Sequence, residues 1–376
     1  MAQAVELPDI QFAAEEAAEI QQNIISVYEG LTGRTLQPAD PVRLFLSSLA
    51  AIIVQQRVLI NQTAKSNLLR YASGIQLDHM GLFQGAERLS ASAAITTMQF
   101  TLSIPLSFPI AVPQGTRIGV QGGDGSIFFV TEEYLEIPAG GTAGAVSAVC
   151  SSPGTTGNGF LPGQLNVLMD QLPFIQSVAN LTATTGGAEK ESDEAFRERI
   201  RTAPDSYSTA GPQGAYEYWA KSTSAAILDV HAFSPGNGKV TIVPLLAGGQ
   251  IPGQNVLDAV AETLEDRGIR PLTDQVTVTA PTSVPYNTNI TYYISRSRVS
   301  EVPAIQAAVT SAVAAYQLWQ KSKLGRDINP SELIARVMTA GALRVVNAAP
   351  VYTALTATQV AQEGMTTINY GGLADD

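Results

Sequence analysis

The sequence has 376 residues, of which 45% are hydrophobic and 15% are charged, with a formal net charge of −11. A chain of this length exceeds what one hydrophobic core supports, so we expect two or three domains. The negative charge, with no basic cluster to oppose it, excludes binding to a nucleic-acid backbone by electrostatic attraction. The low charged fraction indicates that other subunits cover part of the surface.

Cysteine content and the apolar segments bear on the compartment. Cys150 is the single cysteine, so no internal disulfide can form, which is compatible with a reducing cytoplasm. The first fifteen residues lack a basic region followed by an apolar one, so we expect no secretory signal. The longest apolar stretch, residues 44–54, contains two serines and is followed by Gln55, Gln56 and Arg57, so we expect no membrane span.

Residues 1–92 are predicted to form a helical region. Phe12, Ile20, Ile24 and Val27 have helical spacing. A second helix is expected from Asp40-Pro41, because an aspartate can accept hydrogen bonds from free N–H groups and proline fits a first turn. This second helix carries an apolar stripe, which we take as the candidate interface: Val42, Phe45, Leu49, Ile52, Ile53 and Leu59. Both a helix hairpin and a helix shared with a neighbouring subunit would cover this stripe.

Residues 93–185 are predicted to form a small all-β domain. Met98, Phe100, Leu102 and Ile104 alternate with polar residues, which is typical of a half-buried strand. Further strand-like segments are separated by clusters of Gly and Pro that favour turns. Residues 151–163, rich in Gly, Pro and Thr, are expected to form a long surface loop.

Residues 186–376 are predicted to form a C-terminal α+β domain. Helical patterns at residues 192–201 and 213–222 are followed by an alternation of strands and helices. We place strands at residues 239–246, 275–280, 286–294 and 343–348, and helices at residues 252–267, 302–320 and 330–339. This order predicts an antiparallel or mixed sheet with helices on one face, similar to a split βαβ arrangement. The fold class is therefore α+β and multidomain, with an inserted β domain.

The densest charged cluster of the chain lies at the predicted helix 192–201. A catalytic interpretation would take its carboxylates as a pair for acid–base chemistry. A structural interpretation explains the cluster better, because Ser192 can cap the helix, Asp193 and Glu194 favour its positive end, and both can pair with Arg197 one turn later. With Arg199 these residues form a structural motif rather than a catalytic site.

The other chemically interesting residues also favour structural roles. His79 and His231 lie in different predicted domains, and neither has ligands at metal-binding spacing. Cys150 ends a strand of small residues, where a thiol is usually packed. Tyr216 and Trp219 are three residues apart on a predicted helix, which favours a packing face. We therefore predict no catalytic residue, no cofactor and no metal.

Four motifs resemble a known family. They are Leu77-Asp78-His79-Met80-Gly81, Pro113-Gln114-Gly115-Thr116, Gly186-Gly187 followed by Glu191 to Ile200, and Leu324-Gly325-Arg326-Asp327-Ile328. In these motifs the chain is similar to the baseplate J-like proteins of contractile phage tails, over about residues 40–350.

The resemblance implies a structural wedge subunit that is not an enzyme. Such proteins assemble in pairs with another wedge protein, and six wedges close a ring around the hub and spike that changes shape when the sheath contracts. The N-terminal helices would join a helix bundle, and the C-terminal domain would form ring contacts. The resemblance also implies a location in the tail baseplate, after assembly in the host cytoplasm, without membrane insertion. We expect the capped helix at Ser192 to fix the angle between the β domain and the C-terminal domain.

Two other functions are compatible with the sequence. A tail-borne hydrolase of glycans or cell walls would use Glu132, Glu133, Asp193 and Glu194 as its carboxylates. A receptor-binding β protein is suggested by the turn-rich middle domain, and would need exposed aromatic residues at loop tips.

Overall fold

The computed structural model describes residues 7–120, 122–123, 125–208, 211–236, 238–266, 269–271 and 273–375. The chain divides into two compact units. The first consists of Met1–Glu87 together with Ser192–Arg201, and the second of Arg88–Glu191 together with Thr202–Asp376. The capped helix that we assigned to the C-terminal domain therefore belongs with the N-terminal helices.

The first unit is helical. Its helices are α1 (Ala17–Thr32), α2 (Pro41–Lys65), α3 (Gly74–Phe83) and α4 (Asp193–Thr202). As expected from the sequence, Asp40 caps α2, and its carboxylate accepts a hydrogen bond of 2.9 Å from the backbone N–H of Val42. Phe12, which we placed on the first helix, lies before α1.

Helices α1 and α2 share a small core. Ile25, Leu36 and Leu46 are buried together, and Val42 packs against them. Further along α2, the buried amide of Asn61 accepts hydrogen bonds from the N–H groups of Phe12 (2.9 Å) and Ala13 (2.8 Å). The same amide donates to the carbonyl of Ala13 and to Glu15, at 2.8 Å each. Asn61 thereby fixes the segment before α1 on α2.

Helices α3 and α4 form a second core. Leu77 of α3 and Phe196 of α4 are fully buried in it, together with Ala72, Ala86 and Ile200. Gly81 allows the close approach, because a Cβ atom there would lie 2.5 Å from Cζ of Phe196 and 2.6 Å from the carbonyl oxygen of Ala86. This requirement explains the glycine in the motif at residues 77–81.

The first part of the second unit is a nearly closed, barrel-like sheet, in the part of the chain where the sequence analysis expected strands. Six of its strands follow the order β7-β3-β4-β6-β1-β8, and β2 pairs separately with β5. The strands are β1 (Ala93–Leu102), β2 (Ile110–Val112), β3 (Arg117–Val120), β4 (Phe128–Thr131), β5 (Leu135–Ile137), β6 (Ala143–Pro153), β7 (Leu165–Leu168) and β8 (Ile175–Asn180).

The alternation predicted for β1 is present, but it ends earlier than we placed it. Met98, Phe100 and Leu102 are buried in the barrel core, whereas Ile104 lies beyond the strand and is exposed. Cys150 is buried in the same core. The expected loop at residues 151–163 contains the end of β6, and the sequence analysis placed no strand at β7 or β8, because these strands are short and follow many turn residues.

Asn180 closes the seam between β7 and β8. Its carboxamide accepts a hydrogen bond from the N–H of Leu165 and donates one to the carbonyl of Leu161, both 3.0 Å. Its backbone carbonyl accepts from the N–H of Gly163 at 2.9 Å. Side-chain bonds thus replace part of the ladder that would otherwise join the two edge strands.

The remainder of the second unit contains two sheets, where we expected one. The first has the order β11-β10-β9 and packs with helices α5 and α6. Its elements are α5 (Gln213–Ser222), β9 (Ile227–Gly236), β10 (Lys239–Leu246), α6 (Gln254–Glu265) and β11 (Gln275–Val278). Strand β9 was not predicted. Arg267, our predicted end of α6, lies outside the described residues.

The second sheet has the order β13-β12-β14 and packs with helices α7 and α8. Its elements are β12 (Thr282–Ser295), α7 (Val302–Lys321), α8 (Pro330–Thr339), β13 (Arg344–Ala349) and β14 (Gln359–Ala374). The sheet is separate because β12 takes its neighbours from β13 and from the parallel strand β14, which the sequence analysis did not assign.

The motif at residues 324–328 is a structural turn at this second sheet. Gly325 has φ of 64°, and a Cβ atom there would lie 2.9 Å from Cα of Ala357. The Asp327 carboxylate accepts hydrogen bonds from the N–H of Leu355 (2.9 Å) and the hydroxyl of Tyr352 (2.7 Å). These bonds lower the pKa of Asp327.

Candidate interaction surface on the N-terminal helices

The structure places most of the predicted apolar stripe of α2 in solvent. Phe45 is 61% exposed, Ile52 54% and Leu59 53%, and Leu49 and Ile53 are exposed as well. Val42 differs from them, because it packs into the α1–α2 core instead of joining the exposed stripe. The hairpin with α1 therefore covers a different face of α2, on which Leu46 and Ala50 are buried.

The exposed residues follow a coiled-coil spacing. Phe45, Leu49, Ile52, Gln56, Leu59 and Thr63 occur at alternating intervals of four and three residues. We call these six residues the α2 seam. Such a repeat places every member on one side of a helix, where it packs against another helix. Gln56 and Thr63 are its polar members, and a polar residue in an apolar seam specifies the register of the partner.

Charge is absent from the α2 seam. Helix α2 contains the basic residues Arg43, Arg57 and Lys65 and no acidic residue. Arg43 donates to the carbonyl of Leu36 (3.1 Å), Arg57 to that of Ala14 (2.9 Å), and Lys65 pairs with Asp9 (3.0 Å). The charged groups of α2 are therefore engaged inside the first unit, and its exposed face is apolar and neutral.

Helix α2 is also long and apolar enough to cross a membrane by length and composition, and it is the one such helix among the described residues. Our argument from the length of residues 44–54 was therefore wrong, because the helix continues through the polar residues that follow. One such helix is weak evidence for a membrane span, since helices of soluble proteins satisfy the same criterion.

Helix α4 holds the predicted structural motif, and its residues bind neighbouring backbone. The Ser192 hydroxyl accepts a hydrogen bond from the N–H of Ala195 at 3.3 Å, and the Asp193 carboxylate accepts from that of Gly74 at 3.0 Å. Glu194 pairs with Arg197 at 2.9 Å. These carboxylates, which a hydrolase would use, thus have structural partners.

The two arginines of the motif reach from α4 to residues 69–87. Arg197 donates to the carbonyls of Leu69 (2.8 Å) and Ala72 (2.7 Å). Arg199 is buried, donates to the carbonyl of Glu87 and lies over the ring of Phe196. The contacts described for this helix lie within the first unit, where they hold α4 to the segment around α3.

The other side chains that could take part in catalysis or metal binding make structural contacts. Glu132 accepts a hydrogen bond from the hydroxyl of Ser147, and His231 stacks on Phe233. Tyr216 is buried, which raises the pKa of its hydroxyl, and that hydroxyl donates to Asp274 at 2.7 Å. Among the described residues, no group of three or more His, Cys, Asp or Glu side chains is placed to hold a metal ion.

One cleft of about 390 Å³ lies in the second unit. Glycine backbone forms much of its wall, and none of the described residues that line it has a titratable side chain. Asn158, at the cleft, uses its amide to donate to the carbonyl of Gly187 (2.7 Å) and to accept from its N–H (2.9 Å). The described residues that line the cleft therefore provide no acid–base group.

The described residues thus form a helical unit with an uncharged exposed seam, a barrel-like sheet and two further sheets that pack with helices. Residues 97–187 match the family model described as the Baseplate J-like protein barrel domain. Residues 208–280 match the Baseplate J-like central domain. The chain thus contains two domains of the baseplate J-like family, in agreement with the motif resemblance.

Several known proteins are similar to this chain. Baseplate protein J of Escherichia phage P2 is 35% identical over 164 residues, 43% of this chain and 53% of that protein. Phage-like element PBSX protein XkdT of Bacillus subtilis (strain 168) is 25% identical over 203 residues, 54% of this chain and 49% of that protein. The chain thus spans about half the length of the curated relatives it matches.

A solved structure is also similar. A chain of the anti-feeding prophage (AFP) baseplate, a 6-fold symmetrised cryo-EM structure, matches over 92% of this chain and 90% of that chain, with 15% identity and a TM-score of 0.35. Likeness at this level carries no argument about how the units are arranged.

Proposed function

We propose that this protein is a structural wedge subunit in the baseplate of a contractile tail or tail-like particle. It assembles in pairs with another wedge protein into a six-fold ring around the hub, close to the sheath, and the ring changes conformation when the sheath contracts. Assembly takes place in the bacterial host cytoplasm. The observation that carries this proposal is the α2 seam, an exposed and uncharged face on a chain that contains two domains of the baseplate J-like family.

Exposure of the apolar side chains of the α2 seam to water is unfavourable unless a partner covers them. Full burial of a Leu, Ile or Phe side chain stabilises by roughly 1.5–3 kcal/mol. Since Phe45, Leu49, Ile52 and Leu59 are about half exposed, covering them would contribute on the order of 4 kcal/mol. That is enough to favour association with another helix, by the helix-in-groove or coiled-coil mode.

Charged residues in the seam test the proposal. We expect Phe45→Glu with Leu49→Lys to abolish binding to a second copy and to the other wedge protein, because both side chains are exposed in the isolated chain and would be buried only in the complex. The thermal midpoint of the isolated chain should change little. Analytical ultracentrifugation of the chain, alone and with proteins encoded beside it, measures binding.

A control changes two apolar residues elsewhere that are even more exposed than Phe45 and Leu49. Val351 and Met365 are 71% and 75% exposed in the second unit, and their replacement by Glu and Lys should leave binding intact. Equal loss of binding in both variants, or unchanged binding in the seam variant, would contradict the assignment of the α2 seam.

The proposed role is structural and non-enzymatic. Asp193 and Glu194, two of the four hydrolase carboxylates, are engaged by backbone N–H or by a neighbouring arginine, which supports this role. A glycan-release assay with purified chain and bacterial cell walls tests it directly. Release that disappears in Glu132→Gln with Glu133→Gln would establish the hydrolase instead.

A further inference from the structure

Phe174 has a strained backbone. It is the one non-glycine residue among the described residues with positive φ, at 69°. A bulky side chain rarely adopts this conformation, because its Cβ atom approaches the neighbouring carbonyl oxygen. Such strain persists only where the surroundings enforce it, and it is found preferentially at functional sites.

The strained residue forms an exposed aromatic pair. The rings of Phe174 and Phe108 meet edge to face with centroids 5.7 Å apart. Phe174 is 53% exposed and Phe108 47%. The loops that carry these two phenylalanines are nevertheless attached to the barrel. Leu106 and Leu172, two residues before each phenylalanine, pack into the barrel core. The pair is therefore presented to solvent by anchored loops.

An ion pair holds one of these loops. The Asp170 carboxylate accepts from the Arg117 guanidinium at 2.6 Å and from the Arg117 backbone N–H at 2.8 Å. Met169 also donates its N–H to the carbonyl of Arg117 at 3.0 Å. The loop from β7 to β8 is thus fixed at Met169 and Asp170, which preorganises the aromatic pair for binding.

The end of the barrel that carries the pair is acidic. Residues 93–187 contain one basic residue, Arg117, and five carboxylates. Glu132 and Glu133 directly follow Thr131, the last residue of β4. Thr131 donates its N–H to the carbonyl of Thr116, the residue that precedes Arg117. Glu136 of β5 pairs in register with Ala111 of β2. Ala111 lies three residues after Phe108 in the sequence. Four of the five carboxylates, including Asp170, therefore lie at this end.

We propose that the Phe108–Phe174 pair and the carboxylates around it dock another protein of the particle through a surface that presents an apolar pocket edged by Lys and Arg. Charge complementarity favours a basic partner, because this end of the barrel has a single guanidinium and Asp170 already binds it. Exposed aromatic residues held rigidly are the usual anchors of such interfaces. The proposal rests on the proposed function, since it needs an assembled particle.

The variant Phe174→Gly distinguishes a role of Phe174 in docking from a role in folding. In Phe174→Gly, glycine adopts the positive φ without cost, and the aromatic anchor is removed. We expect the thermal midpoint of the purified chain to fall by no more than ~2 °C, because the lost ring contacts are offset by relieved strain. A fall of more than ~5 °C would mean that Phe174 serves the barrel itself, and would overturn the proposal.

Cross-linking within particles identifies the partner. The photoreactive residue p-benzoylphenylalanine replaces Phe108, and particles produced from the native gene cluster are irradiated and analysed by mass spectrometry. We expect a cross-link to a peptide of another particle protein that contains Lys or Arg. The yield should fall at least about threefold when Phe174→Gly, or Glu133→Lys with Glu136→Lys, is added, since roughly 0.7 kcal/mol is lost for each threefold change.

Leu161 provides the matched control position. It is 60% exposed in the same barrel, but it lies beside Asn180, at the opposite end of β8. The same probe at Leu161 should not yield this cross-link. A cross-link from position 108 to a second copy, to lipid or to glycan, or no cross-link in particles that contain the chain, would overturn the docking proposal alone. Particles that lack the chain would contradict the proposed function and the docking proposal with it.

Discussion

Single polar side chains replace backbone pairing at several places in this molecule. Asn61 holds the segment before α1, Asn180 closes the barrel seam, and the buried Gln320 donates to the carbonyls of Arg326 and Asp327 at 3.0 Å each. A buried amide stabilises only when its hydrogen bonds are made, so each position tolerates few other residues. The sequence analysis gave none of them a role, because an isolated amide has no periodic signal.

Asn61 gives a prediction at this scale. In Asn61→Ala the N–H groups of Phe12 and Ala13 lose their acceptor, and we expect the first unit to lose about 2–3 kcal/mol of unfolding free energy. Hydrogen exchange at these two amides should accelerate. Asn67→Ala, at an exposed position just after the end of α2, is the control. Unchanged exchange in Asn61→Ala would show that the segment is held by other contacts.

Asp170 gives a pH dependence. Hydrogen bonds from Arg117 lower its pKa below the usual 3.8. A carboxyl whose pKa is lowered by folding binds fewer protons in the folded state, so its contribution is present above the unfolded pKa and is lost as pH falls through the folded pKa. The thermal midpoint of Asp170→Asn should therefore lie below that of the wild type at pH 7, and the two should converge in acid.

Glu133→Gln removes a charge from the same end of the barrel without touching this ion pair. We expect its midpoint to follow the wild type across the same pH series. If Asp170→Asn also followed the wild type at pH 7, the ion pair would contribute nothing measurable, as is common for exposed pairs.

Helix packing in the first unit depends on one glycine. A Cβ atom at Gly81 meets both Phe196 and the carbonyl of Ala86 well inside contact distance, whereas one at Gly30 in α1 meets nothing within 4 Å. We expect Gly81→Ala to destabilise by about 1–3 kcal/mol through overpacking. Gly30→Ala should stabilise by roughly 0.5–1 kcal/mol, because alanine is the better helix former.

Chemical denaturation of the two variants measures the difference. Both replace glycine by alanine in a helix of the same unit, so helix propensity alone would shift both midpoints in the same direction. Midpoints that shift oppositely locate the effect in the contact of α3 with α4. A stabilised Gly81→Ala would contradict the close approach of Gly81 to Phe196.

At the scale of the whole molecule, α4 joins the first unit although it is far along the chain from the N-terminal helices. We expect Ser192, Asp193 and Arg197, all changed to Ala, to impair particle assembly while the chain stays soluble, because α4 and the segment around α3 would lose their hydrogen bonds to each other. Electron microscopy of particles gives the yield. The control changes Glu198 and Arg201, an exposed pair on the same helix. Particle assembly at normal yield in the triple variant would contradict a role of α4 in assembly.

Local patterns predicted much of the secondary structure. The helix α8 (Pro330–Thr339) was placed at its observed bounds, and α2 begins at the predicted Asp40-Pro41, because capping and proline signals act within a few residues. Strands β9 and β14 were missed, since β14 contains glycines and irregular pairing that break its alternation. Its pairing with β12 joins strands that are distant along the chain.

The sequence by itself determined the resemblance to the baseplate J-like family, the elements with strong local signals and most of the α2 residues that share one side of a helix. Only the tertiary structure decided that Val42 faces the α1 core while Phe45, Ile52 and Leu59 face solvent, because periodicity gives the relative orientation of side chains and not which side is covered. It also decided that α4 packs with α3 and that Phe174 is strained, because both depend on contacts between segments remote in the chain.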